Sequence, residues 1–170
     1  MTMNNRKSFI TGVKSTTLSI KEKKFLLEHK PWGVILFSRN IKSLKQGKKL
    51  TDQIKRIFKD NNYPILIDQE GGRVNRLKKI FNADTLTAEF FGKLYTNDKK
   101  KFYNFYKIFI NQTSFLLRSI GVNINTLPVL DLRLKGSNTV IGDRSFSKDP
   151  KIVSKIGDIC IDSFHSNNIG

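Results

Sequence analysis

The chain has 170 residues, of which 31 are lysine or arginine and 14 are aspartate or glutamate, so its formal net charge is +17. Its 38% hydrophobic residues can build a packed core, which excludes a disordered or collagen-like chain. One cysteine excludes an internal disulfide framework, and two histidines exclude a metal site built from several histidines. Neither a membrane-spanning run nor a signal-peptide core is present, so we expect a cytoplasmic protein without a membrane partner.

Short apolar runs predict four strands. The central runs are uninterrupted, as in a parallel sheet that is covered on both faces. The fourth strand is predicted together with an extension that follows Pro128. In chain order the runs are residues 9–10, 34–37, 64–68 and 122–125, with 129–132 as the extension.

Helices are predicted between these strands from their start and stop signals. Capping boxes at 19–22 and 43–46 place a serine three residues before a glutamate or glutamine, which satisfies free N–H groups at a helix start. Asp149 followed by proline is a third start signal, and Gly121 and Gly170 are expected helix stops. The predicted helices are 19–30, one that starts at 43 with buried positions through Ile57, 87–95, 98–119 and 149–170.

The stretch 99–107 alternates lysines with aromatic residues, as a platform for single-stranded nucleic acid does. Helical spacing favours core packing instead, because the apolar residues of this helix recur on one face. Those residues are Phe102, Phe105, Phe109, Leu116 and Ile120. The cations are 23 lysines and only 8 arginines, scattered along the chain, whereas phosphate recognition relies on arginine. We therefore expect no nucleic-acid partner.

Four strand–helix units in a row imply a parallel α/β sheet. A (β/α)₈ TIM-type barrel typically needs about 250 residues. Residues 1–170 are therefore expected to hold only the first four or so strand–helix units, as the N-terminal half of a barrel domain. An open doubly wound sheet that is complete at this length is the alternative, and periodicity does not separate the two.

Polar residues follow directly after the predicted strands. The carboxyl ends of parallel strands form the site in such folds, so we expect these residues to meet at one mouth. They are Ser38, Arg39 and Asn40 after the second strand, 68–73 after the third, Asn125 and Asp131 after the fourth, and Asp143 and Arg144 in the next loop.

Carboxylates, amides and arginines beside Gly71 and Gly72 suit a polyhydroxylated ligand, because sugar hydroxyls need many oriented donors and acceptors. Structural roles compete with this interpretation. Asp68 is a candidate cap for the turn that follows it, and Asp131 is expected to be a structural turn residue. The competing ion pairs are Glu70 with Arg73 or Arg76, and Asp143 with Arg144.

Other reactive side chains have expected structural positions. Cys160 lies on an apolar helical stripe, so we expect a packed and unreactive thiol. His29 and His165 fall within predicted helices and not at strand ends. No nucleotide, zinc or serine-hydrolase motif is present, and we expect no metal and no organic cofactor.

Four segments together resemble the bacterial NagZ-type β-N-acetylhexosaminidases of glycoside hydrolase family 3. They are GVILFSRNI at 33–41, LIDQEGGRVNRL at 66–77, GVNINTLPVLDL at 121–132 and VIGDRSF at 140–146. The resemblance implies a (β/α)₈ barrel that removes terminal non-reducing N-acetylglucosamine from peptidoglycan-derived fragments, with retention. It implies that Asp68 binds sugar hydroxyls and that Arg76 and Arg144 contact the ligand.

In that family a KHFPGHG-like segment, a His–Asp acid/base dyad and an aspartate nucleophile follow these motifs. We expect all of them beyond Gly170, so no catalytic residue is assigned in this chain and residues 1–170 are expected to be inactive alone. Two alternatives remain open: a non-catalytic sugar-binding module, and another family 3 specificity such as that of a β-glucosidase. A half barrel is expected to expose its inner strand face, whereas a complete module is not.

Overall fold

A computed structural model describes residues 6–134, 136 and 138–170. Within them, four strands alternate with helices in the predicted order. The strands are β1 (Lys7–Gly12), β2 (Pro31–Leu36), β3 (Ile65–Ile67) and β4 (Ile124–Asn125). The helices are α1 (Ile20–His29), α2 (Leu44–Phe58), α3 (Ala88–Asn97), α4 (Lys99–Ser119) and α5 (Pro150–Ser166), and short 3₁₀ helices lie at Ser38–Asn40 and Gly142–Arg144.

The four strands form one parallel sheet in the order β1-β2-β3-β4. Val34 pairs with Ile65 between β2 and β3, and Leu66 pairs with Ile124 between β3 and β4. An open doubly wound sheet reverses its strand order near the middle, whereas a (β/α)₈ barrel adds its strands in sequence order. The observed order therefore favours the first units of a barrel over the doubly wound alternative.

The hydrophobic core lies between the helices and one face of this sheet, because right-handed crossovers between neighbouring strands place every helix on the same side. The strand residues that face the helices are fully buried, each contributing roughly 1.5–3 kcal/mol. They are Val34, Leu36, Ile65 and Ile67. On the other face, Ile10 of β1 is 46% exposed, whereas Leu66 of β3 is buried. The inner face of the sheet is thus open at the β1 edge and covered at β3.

Side-chain caps begin the helices at the predicted places. The hydroxyl of Ser19 accepts the N–H of Glu22 at 3.2 Å, and the Glu22 carboxylate accepts the N–H of Ser19 at 2.8 Å. This arrangement confirms the predicted capping box of α1. The other side-chain caps are Ser43 on α2, Thr87 on α3, Asp98 on α4 and Asp149 on α5.

The capping box predicted for α2 is only half present. Ser43 accepts the N–H of Gln46 as expected, but the Gln46 side chain accepts the N–H of Lys42 at 2.7 Å. Its amide also donates to the carbonyl oxygens of Thr16 and Asn40, at 2.9 and 3.0 Å. Gln46 therefore ties the start of α2 to the loop between β1 and α1, a long-range role that a local pattern does not reveal.

Helix α4 buries a face different from the predicted one at a single position. Phe102 and Phe109 are in the core as predicted, but Phe105 is 56% exposed. The buried face is centred near Tyr106, whose ring packs against Phe91 and is nearly fully buried. Phe105 therefore lies off the edge of that face, and its assignment to the core was wrong.

No helix in the described ranges is long and apolar enough to cross a membrane.

The structure differs from the prediction at two segments, the extension of the fourth strand and the end of the last helix. Residues 129–132 are not a strand, and the carbonyl oxygen of Asp131 instead accepts the hydroxyl of Ser145 at 2.6 Å. Helix α5 ends at Ser166, before Gly170. Gly170 lies beside β4, where its N–H donates to Asn123 and its carbonyl oxygen accepts the N–H of Asn125.

Candidate functional site

The candidate site lies at the carboxyl ends of β3 and β4. The chain that leaves β3 is fixed by the Asn125 side chain, whose oxygen accepts the N–H of Gln69 and whose amide donates to the Gln69 carbonyl oxygen, at 3.0 and 3.2 Å. The Gln69 side chain is fully buried and accepts the N–H of Leu77 at 3.0 Å. Both amides therefore hold the backbone of the segment that carries Asp68 and Glu70, and neither is placed to bind a ligand.

The turn after Glu70 requires glycine at two successive positions. Gly71 and Gly72 have φ angles of +94° and +54°, which side chains rarely allow. A Cβ on Gly71 would also lie 2.3 Å from the Leu86 carbonyl oxygen. The turn is closed by a hydrogen bond from the Glu70 N–H to the Val74 carbonyl oxygen at 3.0 Å.

Asp68 and Arg76 form the first of three carboxylate–guanidinium pairs. Arg76 donates to the Asp68 carboxylate at 2.7 Å, and each side chain remains about a quarter exposed at the mouth. The ring of Phe37, at the end of β2, faces the guanidinium of Arg76 at 5.6 Å and that of Arg39 at 4.6 Å. Phe37 therefore supports the Arg76 guanidinium through a cation–π contact.

Glu70 and Arg144 form the second pair. Arg144 donates from Nε and Nη2 to the two carboxylate oxygens of Glu70 at 2.8 and 2.6 Å, a bidentate geometry. The Glu70 side chain is only 7% exposed. Burial raises the pKa of Glu70, and the adjacent Asp68 carboxyl raises it further against the lowering effect of Arg144. The Glu70 carboxylate in turn raises the pKa of Arg144.

Arg73 and Asp143 form the third pair, with Nε 3.3 Å from the carboxylate. The alternative in which Asp143 pairs with Arg144 is therefore wrong, because the bidentate contact with Glu70 occupies Arg144. Nη2 of Arg73 also donates to three successive carbonyl oxygens of the loop before Gly142, those of Thr139, Val140 and Ile141.

The three candidate ligand-binding residues thus lie in one network. Asp68 contacts Arg76 directly and contacts Glu70 carboxyl to carboxyl, and Glu70 holds Arg144. The network presents carboxylate acceptors beside guanidinium donors, the combination that hydroxyl groups need. Asp68 and Glu70 are both paired with arginine side chains.

Other predicted candidates have structural roles. Arg39 donates to the Val13 carbonyl oxygen at 3.1 Å, and buried Asn40 donates to the same oxygen at 3.0 Å. Cys160 is buried as predicted, and burial raises the pKa of its thiol to about 11. His29 stacks on Phe25 within α1, away from the mouth. No group of His, Cys, Asp and Glu side chains in the described ranges is arranged to hold a metal ion.

The contacts of two contributors to the site had no clear sign in the sequence. Phe37 ends an apolar run and looked like a core residue, whereas its ring faces two arginines. Arg73 was predicted to lie at the mouth and was considered as a partner of Glu70, whereas it holds the loop that carries Arg144. The contacts of Phe37 with Arg76 and of Arg73 with that loop join residues far apart in the sequence, so local spacing does not predict them.

Residues 10–170 match the family "Glycosyl hydrolase family 3 N terminal domain". The chain is 37% identical over 152 residues to a beta-hexosaminidase of Hydrogenovibrio crunogenus, covering 87% of this chain and 41% of that protein. It is 32% identical over 161 residues to a beta-hexosaminidase of Xanthomonas campestris pv. campestris, covering 95% and 47%.

Among solved structures, the fold is similar to that of NagZ from Neisseria gonorrhoeae in complex with N-trifluoroacetyl-D-glucosamine. The TM-score is 0.79 at 27% sequence identity, and the match covers 95% of this chain and 47% of NagZ. The chain therefore spans less than half the length of each of these relatives.

Proposed function

Because the chain belongs to the N-terminal domain family of glycosyl hydrolase family 3, we propose that it carries the sugar-binding part of a β-N-acetylhexosaminidase. The reaction is retaining hydrolysis of a terminal non-reducing N-acetylglucosamine. We place its substrates among peptidoglycan-derived fragments in the cytoplasm. The relatives named beta-hexosaminidase and the solved NagZ complex with an N-acylated glucosamine support this substrate class.

The network of Asp68, Arg76 and Arg144 at the strand ends carries this proposal. One oxygen of the Asp68 carboxylate accepts from Arg76, and the other accepts the Thr126 hydroxyl in a long contact of 3.4 Å, which leaves it able to accept a sugar hydroxyl as well. Arg144 uses Nε and Nη2 for Glu70, and its Nη1 makes only a long contact of 3.5 Å with the Val140 carbonyl oxygen, so we assign Nη1 as the donor for the ligand. The two arginines keep Asp68 and Glu70 paired, so a neutral sugar meets a site whose charges are balanced.

We also propose that residues 1–170 do not hydrolyse the glycoside alone. The carboxylates at the mouth are held by arginines, and neither histidine of the chain lies among them. A retaining glycosidase needs a carboxylate nucleophile and an acid that reach opposite sides of one glycosidic bond. Release of nitrophenol from an aryl β-N-acetylglucosaminide by the 170-residue protein would overturn this part of the proposal.

The binding role of Asp68 is tested by titrating the 170-residue protein with N-acetylglucosamine and following amide NMR shifts. We expect perturbations in 68–76 and 142–146, and Asp68→Asn should weaken binding about ten- to a hundredfold, because hydrogen bonds to a charged group are lost. Asp158→Asn on the exposed face of α5 is the matched control and should bind like the unchanged protein. Unchanged binding by Asp68→Asn would contradict the assignment.

A further inference from the structure

The loop that carries Arg144 is gathered around one guanidinium group. The carbonyl oxygens of Thr139 and Ile141 lie 2.8 and 3.0 Å from Nη2 of Arg73, and that of Val140 is also bonded to it. Hydrogen bonds from a charged guanidinium to carbonyl oxygens are stronger than neutral ones, and the Ile141 oxygen accepts the N–H of Arg144 as well, at 2.8 Å.

The same guanidinium also contacts the far side of the loop. Its Nε faces Asp143 at 3.3 Å, inside the 3₁₀ helix Gly142–Arg144 that follows the carbonyl cluster. Gly142 has a φ of +44°, and a Cβ there would lie 3.3 Å from Nη2 of Arg73. The backbone of the loop therefore wraps closely around Arg73 on both sides.

The 3₁₀ helix of this loop packs against α3, whereas the hydrogen bonds described for 139–144 are made within the loop or with the side chains of Glu70 and Arg73. The backbone hydrogen bonds described for 138–145 join the segment to itself, from Ile141 to Asn138, from Arg144 to Ile141 and from Ser145 to Gly142. Two side chains from the turn that begins at Glu70 link residues 139–144 to the rest of the site. Glu70 holds Arg144 itself, and Arg73 holds the backbone that leads to it.

We propose that Arg73 is a positioning residue for the sugar site, holding the 139–144 loop so that Arg144 faces the ligand beside Asp68. The role in ligand binding rests on the proposed function. Arginine is required because one planar group must meet a carboxylate through Nε and several carbonyl oxygens through Nη2 at the same time. Lysine keeps the charge but can donate to only some of these acceptors, so Arg73→Lys is expected to hold the loop in part.

Arg73→Met tests the proposal, because it keeps an unbranched stem and removes every donor. We expect amide hydrogen exchange in 139–146 to become about tenfold faster or more, since several hydrogen bonds are lost together. Binding of N-acetylglucosamine should weaken about five- to tenfold while the melting temperature changes little, because Arg73 is nearly half exposed and lies outside the core. In both measurements, Arg73→Lys should fall between the unchanged protein and Arg73→Met.

Arg118→Met is the matched control. Arg118 likewise donates from its guanidinium to a backbone carbonyl oxygen, that of Asn167, but it lies at the opposite end of α4 from the site. It should leave exchange in 139–146 and sugar binding unchanged. Unchanged exchange in Arg73→Met, or faster exchange with full sugar affinity, would overturn the positioning role. If the unchanged protein binds no sugar, the proposed function fails and the ligand part of the positioning role fails with it, whereas the exchange result still decides whether Arg73 holds the loop.

Discussion

At the scale of single residues, the turn after Glu70 decides how the charged side chains at the mouth pair, because Glu70 holds Arg144 and Arg73 holds Asp143. Asp68 and Arg144 follow strands or enter the next loop, and parallel topology brings such residues together whatever lies between them. Pairing depends on distances of a few ångströms. Adjacent Asp143 and Arg144 looked like partners, yet each pairs with a residue of the glycine turn. The turn itself sets these distances, and its geometry is not visible in residue spacing.

Glu70 gives a pH-dependent prediction. Its folded pKa is raised above the usual value of 4.5, first by burial. A raised pKa contributes stability that is fully present below about pH 4.5 and is lost as the pH rises through the folded pKa. Glu70→Gln does not ionise, so the stability of the unchanged protein relative to Glu70→Gln should be greatest at acid pH and should decline as the pH rises. Urea unfolding of both proteins across this range measures the difference.

Groups with lowered pKa values, such as Glu22 and Glu89, titrate alike in both proteins, so their contributions cancel in that difference. A difference that grows with pH would mean that the attraction to Arg144 outweighs burial. The pKa of Glu70 would then be lowered in the folded protein, contrary to the expectation.

At the scale of elements, start signals and periodicity predict the helices well, because caps and apolar faces act within a few residues. The errors occur where tertiary contacts decide the outcome. The Gln46 side chain donates to the loop before α1 and does not close the local capping box. Phe105 is exposed because the buried face of α4 is centred near Tyr106. Residues 129–132 are apolar enough for a strand but bond to the segment after Arg144.

The capping box of α1 predicts a measurable contribution from Ser19. Ser19→Ala removes the acceptor for the Glu22 N–H and should destabilise the protein by about 1 kcal/mol, as N-cap serines do. Urea unfolding near neutral pH measures this loss. Ser154→Ala, at an exposed position inside α5, is the control and should cost nothing, since alanine is the better helix former. An equal effect of both changes would exclude a specific capping role.

At the scale of the whole molecule, the periodicity of apolar residues does not predict the order of the strands in the sheet. A barrel and a doubly wound sheet share the same strand–helix alternation and differ only in which strand each crossover reaches. Four motifs in one order resolved the ambiguity by resemblance, and the parallel order β1-β2-β3-β4 agrees with it. The net charge of +17 is a second property of the whole molecule, and its effect on stability depends on where the lysines lie.

The lysines crowd one another on α2. Burial lowers the pKa of Lys55, and the neighbouring ammonium of Lys48 lowers it further, although Asp52 and Asp60 oppose this. Lys48 itself pairs with Asp52 one turn away. The net charge of +17 means that cations outnumber anions over the whole molecule, so repulsion among the exposed lysines is expected to destabilise the compact state.

We therefore expect sodium chloride to stabilise the protein. Raising its concentration from about 0.01 to 0.3 M shortens the screening length from roughly 30 Å to below 10 Å, which weakens repulsion between exposed lysines more than it weakens contacts in the buried core. The urea midpoint should rise with salt. A double variant, Lys45→Gln with Lys49→Gln on α2, should begin with a higher midpoint and gain less from salt. A midpoint that falls with salt would instead show that the exposed ion pairs, which salt also screens, outweigh the repulsion among the lysines.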